Sequence, residues 1–150
     1  MRLVMCGTGP LRAGLESQAR AAGVADRVTF TGLVPNDQIA RYAAAADVFA
    51  LPSLLEALPT VAVEALATGT PVVSADHPGG TELHTIFADD VAVVPRQDPE
   101  SLAQAIDKHL AAPRRAHPRT AAIIAERFSP DAVISAYDRV YARALGPVPA

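Results

Sequence analysis

Short apolar runs alternate with helical stretches along almost the whole chain, and this alternation restricts the fold more than any other feature. The runs fall at 2–6, 27–30, 47–51, 71–74 and 91–94, and each gives way to a turn containing Gly or Pro. Helical patterns lie between them: from the 7–10 turn to about Gly23, over 36–45, and over 59–69. Three more follow the last run, from Asp98 to about Leu110, over 118–127 and over 130–145. Strands that alternate with helices predict a parallel sheet with helices on both faces. The 150 residues suit one domain, 1–145, with a frayed tail at 146–150.

The stretch 51–71 organises the rest. Val48-Phe49-Ala50-Leu51 reads as a strand that stops at Pro52-Ser53. A loop carrying Glu56 follows, and Pro59 has the fixed φ and missing N–H that suit the first position of a helix. Gly69 and Pro71 end that helix. Leu58, Val61, Ala62, Ala65 and Leu66 recur at helical spacing and predict its buried stripe. Glu64 lies off that stripe. One carboxylate thus precedes a helix start and a second sits inside the helix. Between them are N–H groups that the helix cannot satisfy, a natural seat for a phosphate or a hydroxyl-rich ligand.

Composition narrows the function. The net charge is −3 and 5% of residues are aromatic, with no basic patch, which argues against nucleic acid as a partner. The single cysteine, Cys6, excludes an internal disulfide and reads as a core thiol in a buried strand. No signal peptide or membrane span is visible, so the cytoplasm is expected. Twelve Arg against one Lys suggest a GC-rich genome and say nothing of function. Gly7-Thr8-Gly9 opens like a dinucleotide fingerprint, but Arg12 stands where the third Gly belongs. The glycine pair reads instead as a turn that lets the backbone pass a ligand. His84, His109 and His117 lack metal-ligand spacing and read as surface residues, Asp89-Asp90 reads as a turn, and no metal site is expected.

The ordered motifs resemble the group-1, family-four retaining glycosyltransferases, enzymes of the GT-B fold. The pieces are 3–10 (Leu-Val-Met-Cys-Gly-Thr-Gly-Pro), 28–32 (Val-Thr-Phe-Thr-Gly) and 42–53, which runs from Tyr42 through Asp47 to Ser53. The pair Glu56-(seven residues)-Glu64 follows, then 69–74 (Gly-Thr-Pro-Val-Val-Ser), Gly79-Gly80-Thr81-Glu82 and the late Phe128, Tyr137 and Tyr141. Leu58-Pro59-Thr60 matches a common variant of the family signature, in which many members carry Phe-Gly. The resemblance covers about 3–141 and implies the Rossmann-like C-terminal half of a GT-B enzyme, with a nucleotide diphosphate sugar as donor substrate and no cofactor.

Roles then follow from the resemblance. It gives Glu64 the ribose hydroxyls, where on residues alone it would be a solvated helix glutamate. It gives Glu56 the catalytic position beside the donor sugar, acting through positioning and electrostatics and not as a nucleophile; on residues alone Glu56 would be a capping carboxylate. Donor N–H groups would come from Leu58, Thr60 and Val61, since Pro59 has none. Gly7 and Gly9 would pass near the donor, Val34 and Pro35 near the base. His77, Gly79 and Gly80 would form a loop on the acceptor side or near the sugar, with a plain loop histidine as the alternative. The acceptor would be a glycan or lipid-linked molecule in polysaccharide biosynthesis, with membrane contact at most peripheral, at the inner face.

The family pattern is also incomplete here. Members usually begin this domain with a strand ending in Gly-Arg and a Lys beyond it, which together neutralise the diphosphate. The only Lys is Lys108, and neither Arg12 nor Arg41 is in a matching position. The chain opens at what resembles the second strand, so a truncated N-terminus, unpaired strand edges and bare apolar surface are expected. So is weak or absent activity of the chain alone, with an N-terminal domain or another chain supplying the rest. The alternatives are a non-catalytic, nucleotide-sugar-binding remnant, and another Rossmann-type nucleotide binder.

Overall fold

The computed structural model describes residues 1–146; the expected tail falls, beyond Gly146, outside the described residues. The chain forms two compact units, Met1–Ala45 and the residues from Ala46 onward.

The first unit contains β1 (Leu3–Cys6), α1 (Arg12–Ala21), β2 (Val28–Gly32) and α2 (Asn36–Ala45). β1 and β2 run parallel, with Leu3 opposite Val28 and Met5 opposite Phe30. The register slips after Met5, and the Gly7 N–H closes the pair on the Gly32 carbonyl at 2.8 Å. Gly7 has φ 125° and Gly32 φ 72°, backbone that favours glycine. Arg12 lies over the Phe30 ring, bonds the Phe30 carbonyl and pairs with Glu16, so it is fully engaged inside its own unit.

The buried strand expected at 2–6 is not buried. Leu3 is 46% exposed, Val4 43%, and Cys6 is exposed too, so Cys6 is not a core thiol. The reason is pairing: among the described residues β1 has a neighbour on one edge only. A two-stranded parallel pair cannot cover its own faces.

The second unit contains β3 (Phe49–Leu51), α3 (Thr60–Ala67), β4 (Val72–Ala75), α4 (Pro78–Phe87), β5 (Val91–Val94), α5 (Pro99–Ala111), α6 (Pro118–Arg127) and α7 (Pro130–Leu145). Its strands form a parallel sheet in the order β3-β4-β5. β4 is central and buried along its whole length, as a two-faced parallel strand requires. Leu66, Val72, Val73, Leu83, Phe87 and Val91 fill the core, and Phe87 meets Phe128 with ring centroids 5.8 Å apart. The predicted α/β class, with parallel sheets and helices on both sides, is what the chain adopts.

Four helices begin in the same way. His77-Pro78, Asp98-Pro99, His117-Pro118 and Ser129-Pro130 each place a side-chain acceptor before a proline at the first helical turn. The acceptor takes an otherwise unpaired N–H, and the proline gives up an N–H that would have had no partner. α3 departs from its prediction. It starts at Thr60, with Pro59 just outside. Leu58 and Val61 are 44% and 41% exposed, whereas Val63 is buried alongside Ala62, Ala65 and Leu66. α3 packs against β3, β4 and α6, so its buried surface is broader than one stripe and is turned away from Leu58 and Val61. At its other end Arg115 donates to the Thr68 carbonyl at 2.7 Å and to the Ala46 carbonyl at 3.1 Å, a cation at the negative end of the helix.

Candidate functional site

Most sequence-predicted residues of the second unit follow the carboxyl ends of β3 and β4, the usual ligand side of a parallel sheet. β3 delivers the chain into a loop, 52–59, that carries Glu56 half-buried, with Leu54 and Leu55 exposed. α3 then begins. Its first internal bonds run from the Ala62 and Val63 N–H groups to the Pro59 carbonyl, at 3.0 and 3.3 Å. The Thr60 and Val61 N–H groups precede that ladder and have no acceptor within the helix. Glu64 stands on the same helix and is exposed.

β4 delivers the second half of the site. The sequence reads 76–80 as a loop, but α4 already begins at Pro78, so Gly79 and Gly80 are helical. The cause is His77, which is fully buried and caps the helix: its Nδ1 accepts the Gly80 N–H at 2.9 Å. The Ser74 hydroxyl donates to the Ala75 carbonyl and lies 3.3 Å from Nε2 of His77. Nε2 is therefore the protonated nitrogen and donates to the Ser74 oxygen, and both ring nitrogens are in use. His77 shapes the site through α4 and presents no free nitrogen to it.

Gly79 connects the two halves. Its N–H donates to the Glu56 carbonyl at 3.0 Å. A Cβ on Gly79 would lie 2.6 Å from the Ala57 carbonyl oxygen and 2.7 Å from Cδ of Pro59. A Cβ on Gly80 would lie 2.4 Å from the Ala75 carbonyl oxygen and 2.5 Å from Oγ of Ser74. Both glycines are required by close approach of α4 to the strand end and the loop, not by an unusual φ. The structure thus brings Glu56, Gly79, Gly80, Leu58, Thr60 and Val61 into one small region.

Gly7, Gly9, Val34 and Pro35 belong to the first unit. Gly7 and Gly9 have open space where a Cβ would stand. Val34 is half-buried, and the Pro35 carbonyl starts α2 by accepting the Gln38 and Ile39 N–H groups, both at 3.0 Å. Asp90, read as a turn residue, has a structural role that the sequence did not reveal. Its carboxylate is buried and accepts from Thr120, Arg114 and the His117 N–H. Burial pushes its acidity down, but the Thr120, Arg114 and His117 hydrogen bonds outweigh burial and hold its pKa below the usual carboxylate value. Among the described residues no His, Cys, Asp and Glu cluster could hold a metal ion, and no helix is long and apolar enough to cross a membrane.

The family model described as "Glycosyl transferases group 1" matches residues 1–125. D-inositol 3-phosphate glycosyltransferase of Mycolicibacterium smegmatis is 35% identical over 164 residues, covering 100% of this chain and 37% of that protein. 2-Deoxystreptamine glucosyltransferase of Streptomyces kanamyceticus is 45% identical over 71 residues, 47% of this chain and 18% of that protein. Among solved structures, sucrose-phosphate synthase of Thermosynechococcus elongatus superposes with a TM-score of 0.82 at 30% identity, covering 96% of this chain and 38% of the other. The Anabaena HepE protein, solved with UDP, superposes with a TM-score of 0.81 at 22% identity, covering 95% of this chain and 41% of the other. The chain therefore spans well under half the length of these proteins. By its family match and its fold, this chain belongs to the group 1 glycosyltransferases, whose architecture is GT-B.

Proposed function

We propose that this chain is the donor-binding part of a retaining, family-four glycosyltransferase that moves a sugar from a nucleotide diphosphate sugar to a glycan or lipid-linked acceptor. The observation that carries the reading is the Gly79 tie, which sets the Glu56 loop against the start of α4 while α3 offers N–H groups beside it. Family membership supports it, as does the UDP bound by the HepE protein of like fold.

In this reading the N–H groups of Leu58, Thr60 and Val61 meet the donor phosphate, where backbone donors and the helix start favour negative charge. Glu64 accepts from vicinal ribose hydroxyls, the pairing that a carboxylate makes best. Glu56 accepts from hydroxyls of the donor sugar and stabilises the positive charge that grows at the anomeric carbon. The bond from that carbon to the phosphate oxygen breaks as the bond to the acceptor oxygen forms on the same face. The acceptor proton passes to the departing phosphate oxygen, and no covalent enzyme intermediate is needed. His77, through α4, and Gly79-Gly80 shape the sugar or acceptor side. In the first unit the reading assigns the backbone at Gly7 and Gly9 to the donor and that at Val34 and Pro35 to the base.

The departing diphosphate calls for a cation; the single lysine, Lys108, lies far along α5, and Arg96 at the strand ends is already paired with Asp76. We infer that further polypeptide supplies that charge together with the acceptor site, so that the chain alone is weakly active or inactive. The greater length of the relatives supports this. We also infer a bacterial, cytoplasmic setting in polysaccharide biosynthesis, with at most peripheral contact at the inner membrane face. Saturation-transfer NMR of the folded chain with UDP- and GDP-sugars tests the donor reading. Transfer to ribose and sugar protons of at least one donor is expected; transfer to none contradicts the reading.

A further inference from the structure

The loop is lightly packed over 52–58, and only Pro59 at its end is buried. Leu54, Leu55, Ala57 and Leu58 are all exposed, so apolar burial fixes little of its course and polar ties decide where Glu56 stands. The Gly79 N–H is one such tie. A second comes from the end of β5. The backbone N–H and Nε of Arg96 both donate to Oδ1 of Asp76, at 3.0 and 2.9 Å, just beyond the end of β4. So oriented, Nη1 of Arg96 reaches the Leu54 carbonyl at 3.4 Å, two residues before Glu56. The next residue, Gln97, is held at φ 59°, a conformation that a non-glycine residue keeps only where its surroundings impose it. This one guanidinium joins the segments that leave all three strands of the sheet.

We propose that Arg96, aimed by Asp76, is a positioning residue for Glu56. The proposal rests on the donor-binding reading above and adds to it a residue that the family signature does not contain. Both side chains of the pair are about half exposed, 48% and 46%, so the pair contributes little to global stability. Its contact with Leu54 is long, so the tie is soft and its effect is confined to the loop. Lysine could keep the ion pair with Asp76, but a single ammonium lacks the fork that serves Asp76 and Leu54 together.

The test uses the whole chain, as wild type, Arg96→Ala, Arg96→Lys and Asp76→Asn. Three quantities are read: ¹⁵N relaxation of the amides at 53–58, the melting midpoint, and affinity for the nucleotide sugar that gives the strongest NMR transfer. All three variants are expected to raise fast motion at 53–58 and to weaken donor binding roughly fivefold, with the melting midpoint unchanged. Wild-type relaxation at 53–58 in Arg96→Ala overturns the proposal, and so does a loosened loop with unchanged donor affinity. Failure of the donor reading looks different: the wild type itself binds no nucleotide sugar, and the relaxation data still decide whether Arg96 orders the loop.

Discussion

Replacing Gly79 with alanine is expected to dislodge the Glu56 loop and weaken donor binding by at least about tenfold. The new Cβ would stand 2.6 Å from the Ala57 carbonyl oxygen and 2.7 Å from the Pro59 ring, and both neighbours belong to backbone or a rigid ring. Neither can swing aside as a flexible side chain would. The loop must move away from α4, and the Gly79 N–H to Glu56 bond of 3.0 Å goes with it. Overpacking of this kind costs about 1–3 kcal/mol. Gly14→Ala in α1 is the matched control, because open space surrounds that helical position. Calorimetry with a donor sugar, alongside chemical shifts of 53–60, reads both effects. Wild-type shifts and affinity in Gly79→Ala would mean that α4 does not set the loop.

Asp90→Asn is expected to destabilise the second unit strongly, lowering stability by about 2–4 kcal/mol near neutral pH. The native carboxylate is 2% exposed and is held by Thr120 at 2.6 Å, the His117 N–H at 2.7 Å and the Arg114 guanidinium. It fastens the chain leading into α6, the helix that packs on α3. An amide removes the negative charge and offers an NH₂ group to partners that are all donors. The pH dependence follows from the depressed folded-state pKa. The stabilisation is fully present above the unfolded-state value of about 3.9 and fades as pH falls through the lower folded-state value. The gap between wild type and Asp90→Asn in urea unfolding should therefore be widest near pH 7 and shrink below about pH 4. A gap that stays constant with pH would contradict an ionised, charge-assisted network.

Much of the fold was legible because its signals are local. The strand–helix alternation gave the parallel α/β class, and α2, α6 and α7 fall where their patterns place them. The prolines at 99, 118 and 130 marked helix starts. The fourth start, Pro78, was missed because histidine is an unusual cap and the following glycines read as loop. His117-Pro118 carries the same signal at another helix and could have revealed it. The pairing Glu56-(seven residues)-Glu64 was also legible, since loop and helix are contiguous. What depends on partners distant in sequence was not. Arg96 and Asp76 lie 20 residues apart, and Thr120 and Asp90 lie 30 apart. The exposure of β1 and Cys6 depends on which strand edges find neighbours, which the apolar pattern of 2–6 does not encode. Leu58 and Val61 matched a helical stripe, yet the orientation of α3 against α6 turned them outward.

The central claim is that Glu56 and Glu64, on either side of the start of α3, hold the sugar and ribose ends of an activated donor. Its most direct test is donor affinity, by calorimetry, of Glu56→Gln, Glu64→Gln and the double variant against wild type. Each single change removes charge-assisted hydrogen bonds and is predicted to weaken binding about tenfold, with binding in the double variant close to lost. A double variant that binds the nucleotide sugar as tightly as wild type would contradict the account.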